Sequence, residues 1–274
     1  MSPPSDPAPP RLVLGDVTMC AVSSTNVTAT IRALEASLAQ IDVAEALLFT
    51  DADPAAFGTP ISARIRVVQV ERINSAEAYS HFILEKLVDH CTTSHCLIVQ
   101  WDGHVLDASR WHPDFLDYDY IGASWPQFDD GHVVGNGGFS LRSRRLMEAC
   151  RHPQFAAHHP EDVAICRSNR IFLESLGLRF APVALADLFS TERAGDPAAS
   201  FGYHGVFLMP RVLGTEQFWN IYQTLNDTAT LRHDFKDLLL LVLAGKNGVS
   251  RACKMIARRL ADARRWRRFD QQSR

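Results

Sequence analysis

Four short stretches of this 274-residue chain carry side chains suited to chemistry at one site. Asp102 follows an apolar run that ends at Gln100, and His204 lies between small and aromatic residues in the stretch FGYHG. A carboxylate and a neutral imidazole can hold a divalent cation, and that cation can bind a diphosphate. The alternative interpretation is a turn aspartate before Gly103 and a histidine that is hydrogen-bonded to backbone.

Two adjacent acids, Glu161 and Asp162, follow Pro160 at the start of a predicted helix. Their simplest role is to complement the positive end of the helix dipole, which is worth about 0.3–1 kcal/mol each. The functional alternative is a general base that removes a proton from an acceptor hydroxyl. Because neighbouring helical residues point in different directions, only one of the two should face a pocket, and we favour Asp162.

The stretch GNGGFSLRS is the most distinctive loop of the chain, with Asn136, Gly137 and Gly138 at its centre. Glycine lets a backbone approach a ligand closely or adopt positive φ. The Gly-Lys-Ser/Thr ending of a phosphate-binding P-loop is missing, and a plain tight hairpin is the alternative. No Gly-x-Ser-x-Gly stretch exists, so acyl-transfer chemistry has no support.

Strand and helix patterns alternate through the first hundred residues. Apolar runs predict strands at RLVLGDVTMCAVSS, AEALLFTD, IRVVQV and HCLIVQ, and the spacing of Val27, Ile31, Leu34 and Leu38 predicts a helix between the first two. The stretch NSAEAYSHFILEKLVDHC predicts a second helix before the fourth strand. Such an order is typical of an α/β fold with a largely parallel sheet, which binds ligands beyond the carboxyl ends of its strands.

Polar groups follow three of these strands: Ser23 to Thr25, Asp51, and Gln100 to Asp102. We therefore expect them to share one edge of the sheet. In the second half, DYDYIGAS predicts a strand, HPEDVAICRSNRIFLESLG a helix, and LRFAPVALADLFS a strand followed by a loop.

Composition narrows the class of protein. Hydrophobic residues make up 46% of the chain, which suffices for one large core, and no apolar window approaches the length of a membrane-spanning helix. We expect residues 1–11 to form a disordered proline-rich lead and the protein to be cytoplasmic. The stretch CTTSHC offers Cys91, His95 and Cys96, but without a second half of a zinc motif we expect reduced, buried thiols.

In combination and in order, these stretches resemble glycosyltransferases of the GT-A fold. The closest resemblance is to an uncharacterised bacterial GT-A-like family that shares stretches of the type QWDG, GNGGFSLRS, PEDVAIC and FGYHG. The resemblance spans about residues 12–210. It implies an α/β fold with a GT-A-like, Rossmann-related mixed sheet flanked by helices, to which a basic helical tail is appended.

The resemblance also implies roles for individual residues. The metal-binding Asp-x-Asp motif of such enzymes would map to Gln100, Trp101 and Asp102, so only Asp102 keeps an acid, and His204 would complete a Mn²⁺ or Mg²⁺ site. Asp162, beside Glu161, would be the base of an inverting reaction. The residues expected around the nucleotide-diphosphate sugar are Ser23, Thr25, Asp51, Tyr79, Trp101, Asn136, Gly137 and Gly138. Trp101 and Trp125 would either stack on sugar faces or pack in the core.

Positive charge is concentrated at the end of the chain. Residues 246–274 carry a formal charge of +8, whereas the remainder carries −11. An apolar stripe that ends near Trp266 and Phe269 runs through this segment. It predicts either a solvated helix docked on the acidic remainder of the chain or an interfacial helix on an anionic membrane surface. We expect a glycosyltransferase domain over residues 12–225 and a basic amphipathic extension over residues 226–274.

The sequence therefore predicts a glycosyltransferase that moves a sugar from a nucleotide-diphosphate donor to a glycan or lipid-linked acceptor, as in polysaccharide biosynthesis. We expect it in the cytoplasm, at the inner membrane face if the tail binds lipid, and we expect no nucleic-acid partner. The alternative is a non-catalytic module of the same fold that binds a nucleotide sugar or glycan and is anchored by its tail. Gln100, in place of an acid, is the feature that favours this alternative.

Overall fold

The computed structural model describes residues 11–53 and 61–272, with side chains described up to residue 263. The predicted disordered lead lies outside these residues except for Arg11, as do the side chains of Trp266 and Phe269. Contacts divide the chain into two compact units, the first ending at His204 and the second beginning at Gly205. The boundary expected from the sequence, after residue 225, falls inside the second unit.

Strands of the described residues all belong to the first unit. In chain order they are β1 (Leu12–Val22), β2 (Ile41–Thr50), β3 (Ile65–Gln69), β4 (His95–Val99), β5 (Gly103–Val105), β6 (Tyr120–Ile121), β7 (Ala123–Ser124), β8 (Val134–Gly135), β9 (Phe139–Ser143), β10 (Ser190–Thr191) and β11 (Gly202–His204).

Helices occur in both units. In chain order they are α1 (Val27–Leu38), α2 (Ala76–His81), α3 (Arg144–Ala149), α4 (Glu161–Val163), α5 (Arg170–Ser175), α6 (Val183–Phe189), α7 (Met209–Val212), α8 (Thr215–Tyr222), α9 (Phe235–Leu243) and α10 (Gly248–Gln272). π-Helical turns, Phe82–Lys86 and Ala164–Ser168, extend α2 and α4, and 3₁₀ turns occur at Leu87–His90, Ala108–Arg110, Pro113–Asp117 and Ala229–Leu231.

Two sheets form the centre of the first unit. The larger has the order β3-β2-β1-β4-β9-β6, in which the first four strands run parallel and β9 pairs antiparallel with both β4 and β6. The smaller sheet has the order β5-β11-β10-β7-β8. This arrangement confirms the predicted α/β class with a mixed sheet flanked by helices.

The central strand β1 is buried on both faces of the sheet. Met19 and Ala21 belong to one apolar cluster, which includes the predicted α1 positions such as Ile31 and Leu34. Cys20 and Val22 belong to a second cluster on the other face, which includes side chains that follow α2, such as Ile83. Because successive residues of a strand point to opposite faces, an unbroken apolar run is required where helices cover both sides.

Several elements of the second half differ from the sequence prediction. The prediction of a loop after Phe180 is wrong, because Val183–Phe189 form α6, which begins directly after Pro182. The strand predicted before it is reduced to an isolated bridge between Phe180 and Tyr120. Proline suits a helix start because its fixed φ is already helical and its missing N–H is not needed there. The stretch DYDYIGAS is not one strand, since β6 and β7 belong to different sheets and are separated by Gly122.

The second unit is helical over its described residues. Arg251 of α10 is only 9% exposed and forms an ion pair with Glu216 of α8, with Nη1 to Oε1 at 2.5 Å. Met255 is buried on the same helix, and the span of α10 confirms that the basic tail is helical. Within the described residues, no helix combines the length and apolar character needed to cross a bilayer.

Gly122 occupies a position where a side chain has no space. A Cβ at this residue would lie 1.8 Å from the Gly135 carbonyl oxygen. We therefore expect Gly122→Ala to lower the free energy of unfolding by about 1–3 kcal/mol in urea titrations, because the backbone must shift. Gly15→Ala is the matched control, since nothing lies within 4 Å of its Cβ position. Equal unfolding midpoints for the two variants would contradict the packing described here.

Candidate active site

Three neighbouring parallel strands of the larger sheet end at one edge, as the sequence predicted. The ladder pairs Val22 with Phe49 and Cys20 with Ile98, so the residues after β1, β2 and β4 lie side by side. Strand β9 runs antiparallel to β4, with Phe139 opposite Val99. This register brings the glycine loop that precedes β9 to the same edge.

Asp102 lies in the turn that joins β4 to β5, where the Gly103 N–H donates to the Gln100 carbonyl at 3.1 Å. A turn aspartate is ordinarily solvated, but Asp102 is only 5% exposed. Its Oδ1 lies 3.4 Å from Nε2 of His204 and is buried without a hydrogen-bond partner. The antiparallel pairing of His204 with Gly103 produces this contact. The two residues predicted to bind a metal are therefore in contact.

The His204 ring is surrounded by oxygen atoms. Its Nδ1 lies 3.1 Å from Oε1 of Glu192, and its Nε2 lies 3.3 Å from Oε1 of Gln100. Burial lowers the pKa of this imidazole, but the charges of Asp102 and Glu192 outweigh burial and raise the pKa to about 10. A carboxylate on one ring nitrogen is also the usual partner that orients a metal-ligating histidine.

The two central glycines of the loop are required by close contacts on both sides. A Cβ at Gly137 would lie 2.1 Å from Oε1 of Glu161, and a Cβ at Gly138 would lie 2.0 Å from Nε2 of His204. The Gly138 carbonyl also accepts a hydrogen bond from the Gln100 N–H at 3.0 Å. Two consecutive backbone positions thus connect the Asp102–His204 pair to the start of α4.

Glu161 is held in a buried ion pair. Its Oε1 lies 3.1 Å from Nη2 of Arg142, with the two side chains 6% and 1% exposed, respectively. The Ser80 hydroxyl donates to Oε2 at 3.4 Å. The Arg142 guanidinium also donates to the Gly137 carbonyl at 3.4 Å. Since its oxygens are engaged by the protein, Glu161 has a structural environment that differs from that of its neighbour.

Asp162, unlike Glu161, is only partly buried. The Gly137 N–H donates to its Oδ2 at 3.1 Å, and its Oδ1 accepts from the Val163 N–H at 2.8 Å. Burial and the nearby charge of Glu161 raise the pKa of this carboxyl to about 6, although Arg142 partly offsets them. A carboxylate with a pKa near neutrality is suited to proton transfer.

Tyr79 lies beside Gln100, whose Nε2 donates to the phenol oxygen at 2.8 Å. Burial, together with the charge of Glu161, raises the pKa of the phenol above its usual value. Gln100 therefore connects Tyr79 to His204 through the two ends of its amide. This position, where the Asp-x-Asp motif would have its first acid, is occupied by a neutral side chain with both amide atoms engaged.

The remaining predicted donor-binding residues lie around this edge without forming one contact network. The Ser23 hydroxyl donates to the Thr25 carbonyl, and Thr25 is exposed. Asp51 is half-buried after β2, and Trp101 is half-buried beside Asp102. Trp125 is different, because it is 6% exposed and packs with Phe128 in a separate apolar cluster. Core packing is therefore the interpretation that the structure supports for Trp125.

Buried polar side-chain atoms without a partner are rare in folded proteins. Among the described residues they are Asp51 Oδ1, Asp102 Oδ1, Asn136 Nδ2, Arg142 Nη1, Ser190 Oγ and Tyr203 Oη. The first three belong to residues predicted for ligand binding, Arg142 contacts Glu161, and Tyr203 precedes His204. Three of the six atoms therefore belong to residues expected at the ligand-binding edge, whereas Ser190 and Tyr203 belong to the smaller sheet.

Sequence reasoning missed two members of this site. Arg142 lies in a strand of alternating apolar and polar residues, and Glu192 lies in the stretch STERAG. Both are identified only by partners that are distant in sequence, Glu161 and His204. No local signal marks either residue, although an isolated arginine in a strand that enters a predicted site is a reason to look for a buried acid.

Removing one charge of the Arg142–Glu161 pair should destabilise the protein strongly. We expect Glu161→Gln to lower the free energy of unfolding by about 3–5 kcal/mol, because a buried guanidinium loses its counter-ion. Glu148→Gln is the matched control, since Glu148 pairs with Arg144 at the surface and should contribute less than about 1 kcal/mol. Urea titration of both variants measures the difference, and similar midpoints would show that the buried pair is not important for stability.

Two solved structures are similar to this chain at low sequence identity. Over 90% of this chain and 76% of the other, the structure is similar to "Mannosyltransferase PcManGT from Pyrobaculum calidifontis in complex with GDP-Man and Mn2+", with 13% identity and a TM-score of 0.43. It is also similar to HddC from Yersinia pseudotuberculosis, over 61% of this chain and 88% of the other, with 14% identity and a TM-score of 0.37. Neither similarity assigns an activity to this chain.

Sequence comparison gives the family. No curated protein matches the sequence. The profile of one family, "Protein of unknown function (DUF5672)", matches residues 62–204, which is more than half of the chain and extends from β3 to His204. The chain therefore belongs to the family described as protein of unknown function, DUF5672.

Proposed function

We propose that this protein is a glycosyltransferase that moves a sugar from a nucleotide-diphosphate donor to a hydroxyl of a glycan or lipid-linked acceptor. The observation that carries the proposal is the buried contact between Asp102 and His204. It lies at the carboxyl edge of parallel strands and is joined to Asp162 through Gly137 and Gly138. This arrangement combines a candidate cation site with a candidate base, which is what sugar transfer from a diphosphate requires.

The residues at this site fit a hard divalent cation such as Mn²⁺ or Mg²⁺. Oδ1 of Asp102 is buried and lies 3.4 Å from Nε2 of His204. A cation bound here would displace the proton that the raised pKa of about 10 keeps on this imidazole. Oxygen and imidazole donors suit such cations, and Glu192 on Nδ1 would orient the ring. A cation bound here would neutralise charge that develops on the departing diphosphate.

Asp162 is the group that we assign to proton transfer. In the proposed reaction, the acceptor hydroxyl gives its proton to the Asp162 carboxylate as its oxygen bonds to the anomeric carbon of the sugar. The bond from that carbon to the diphosphate oxygen breaks, and the nucleoside diphosphate leaves with the electron pair. Attack opposite the leaving group inverts the anomeric centre. Glu161, engaged by Arg142, would position Asp162 rather than exchange protons.

Donor binding is assigned to the polar groups around the same edge. Asp51 and Asn136 each offer a buried polar atom without a partner, and Ser23 with Thr25 follows the adjacent strand. Trp101 is half-buried beside Asp102 and would contact a sugar face. Tyr79, which is held by its hydrogen bond with Gln100, would contact the donor.

A second candidate is a non-catalytic module of the same fold that binds nucleotide sugar or glycan. The observation that favours it is Gln100, whose neutral amide contacts both Tyr79 and His204 at a position where a second metal-binding acid would be expected. Such a module would bind donor without turning it over. Kinetics with a panel of donors and acceptors separates the two candidates.

The base assignment predicts a specific pH dependence. Because the proton acceptor must be ionised, activity should rise with pH and reach half its plateau near the Asp162 pKa of about 6. Asp162→Asn should lower kcat by about 10²–10⁴-fold and abolish this rise. Turnover of a panel of nucleotide sugars with Mn²⁺, measured from pH 5 to 8 for both proteins, tests the prediction.

Asp129→Asn is the matched control for this experiment, because Asp129 is an exposed acid outside the site. Asp102→Asn tests the cation separately, and it should weaken the Mn²⁺-dependent rise in melting temperature that a bound nucleotide sugar produces. If no donor is bound or turned over, the proposal fails. If donor is turned over equally by wild type and Asp162→Asn, the base assignment fails while the cation site remains to be judged by Asp102→Asn.

We also propose that the C-terminal helix places the enzyme on an anionic membrane surface, where a lipid-linked acceptor would be available. Val249, Ile256 and Leu260 are 71%, 42% and 56% exposed and share one stripe of α10 with exposed Cys253. Exposed Lys254 lies in the same helix, and exposed Lys246 lies in the turn just before it. An apolar stripe bordered by cations matches the chemistry of an interface with acidic lipid headgroups.

Liposome flotation tests this placement. The protein should float with phosphatidylglycerol vesicles and bind several-fold less to phosphatidylcholine vesicles, because each lysine near an anionic surface contributes about 1 kcal/mol. Ile256→Ser combined with Leu260→Ser should abolish flotation. Ile171→Ser is the control, since Ile171 is 76% exposed in the other unit. Equal flotation of all three proteins would overturn the assignment.

A further inference from the structure

Three cysteine side chains meet in the core of the first unit. Cys20 lies in β1, Cys96 in β4 and Cys91 just before β4. Their sulfur atoms all lie within 4.8 Å of one another, and the sulfurs of Cys20 and Cys91 are 3.8 Å apart. All three side chains are fully buried, and none is in a disulfide.

The sheet register brings these residues together from positions more than 70 apart in sequence. Strand β1 pairs with β4 in parallel, with Thr18 opposite Cys96 and Cys20 opposite Ile98. Cys20 and Cys96 therefore point to the same face of neighbouring strands. Cys91 is fixed beside them, since its N–H donates to the Val88 carbonyl and its own carbonyl accepts from the Arg144 guanidinium.

The spacing of the sulfurs matches coordination of a single ion. Thiolate–zinc bonds are about 2.3 Å long, so two thiolates on one ion lie about 3.8–4.0 Å apart in tetrahedral or trigonal geometry. The Cys20 to Cys91 separation of 3.8 Å has this value, and the other sulfurs are within 4.8 Å. An iron–sulfur cluster fits less well, because its cysteines are usually four and bind separate irons.

The donor set defines the class of cation. Among the described residues, the group contains three sulfurs and no carboxylate or imidazole ligand. Thiolates select soft cations such as Zn²⁺ and Cu⁺, whereas the Mn²⁺ or Mg²⁺ proposed for Asp102 and His204 prefers harder ligands. We propose that Cys20, Cys91 and Cys96 form a structural site for one thiophilic d¹⁰ cation, Zn²⁺ or Cu⁺. Each ligating thiol releases its proton to solvent on binding, and no electron is transferred.

A bound cation would connect β1 to the segment that leads into β4. Ser23 follows β1 and the Gln100–Asp102 turn follows β4, so the ion would stabilise the scaffold of the site without contacting a substrate. Because the cysteines are fully buried, the ion would enter as the chain folds rather than through a preformed channel.

The experiment uses the full chain, expressed in medium supplemented with Zn²⁺ or Cu²⁺, the latter reduced to Cu⁺ by the cell, and purified without oxygen. Elemental analysis and native mass spectrometry should find one Zn or one Cu per chain, and the two media identify which cation the site prefers. X-ray absorption at the metal edge should show sulfur neighbours only, at about 2.3 Å for Zn²⁺. This measurement needs no variant, so it remains decisive if substitution prevents folding.

Cys20→Ala and Cys96→Ala should each lose the metal, whereas Cys166→Ala should retain it. Cys166 is the matched control because it is equally buried but packs in a different cluster. Three results would overturn the proposal: metal-free wild type from both media, a nitrogen or oxygen shell around the ion, or a disulfide between Cys20 and Cys91 in the anaerobically purified protein. None of these results bears on the glycosyltransferase proposal, which is tested with Mn²⁺ and nucleotide sugars.

Discussion

The candidate site depends on the close approach of two side chains to consecutive backbone positions. Glu161 packs against Gly137 and His204 against Gly138, at distances that leave no room for a Cβ. The loop can accept both only because it carries no side chain at either position. Since His204 is also in contact with Asp102, and Gly137 donates to Asp162, the loop sets the relative positions of the metal-ligand pair and the proposed base.

The electrostatic arrangement around this loop has a thermodynamic consequence. The ionised form of Asp162 is disfavoured by burial and by Glu161, so its folded-state pKa is raised to about 6. Protonated Asp162 therefore stabilises the fold at low pH, and this contribution is lost as pH rises through about 6. At neutral pH the carboxylate is ionised at the expense of stability, as is common for groups that perform chemistry. Arg142 limits this destabilisation, because its buried charge offsets that of Glu161.

Much of the fold was predictable because its signals are local. Apolar runs identified β1 to β4, and the spacing of Val27 and Ile31 identified α1. The order of these elements then predicted that Ser23, Asp51 and Asp102 lie at one edge of the sheet. The contact between Asp102 and His204 could be anticipated from the combination of motifs, although its distance could not.

What the sequence did not reveal depends on contacts between distant residues. The partners Arg142 and Glu161, or Glu192 and His204, have no local pattern that connects them. The sequence did not predict that Cys20 lies beside Cys91 and Cys96, because the parallel register that brings them together is a property of the sheet. Strands of two residues, such as β6 and β7, are too short for periodicity to indicate.

The order of strands in the larger sheet also limits how early this sheet can finish folding during synthesis. Strand β1 pairs with β2, which follows closely, and with β4, which begins only at His95. Strand β4 in turn pairs with β9, and the turn after β4 needs His204 from the end of the first unit. Pairings of such long range are slow to form and leave strand edges exposed meanwhile. A nascent chain will therefore carry an open β4 edge until most of the first unit has left the ribosome, and molecular chaperones have their opportunity to bind in that interval.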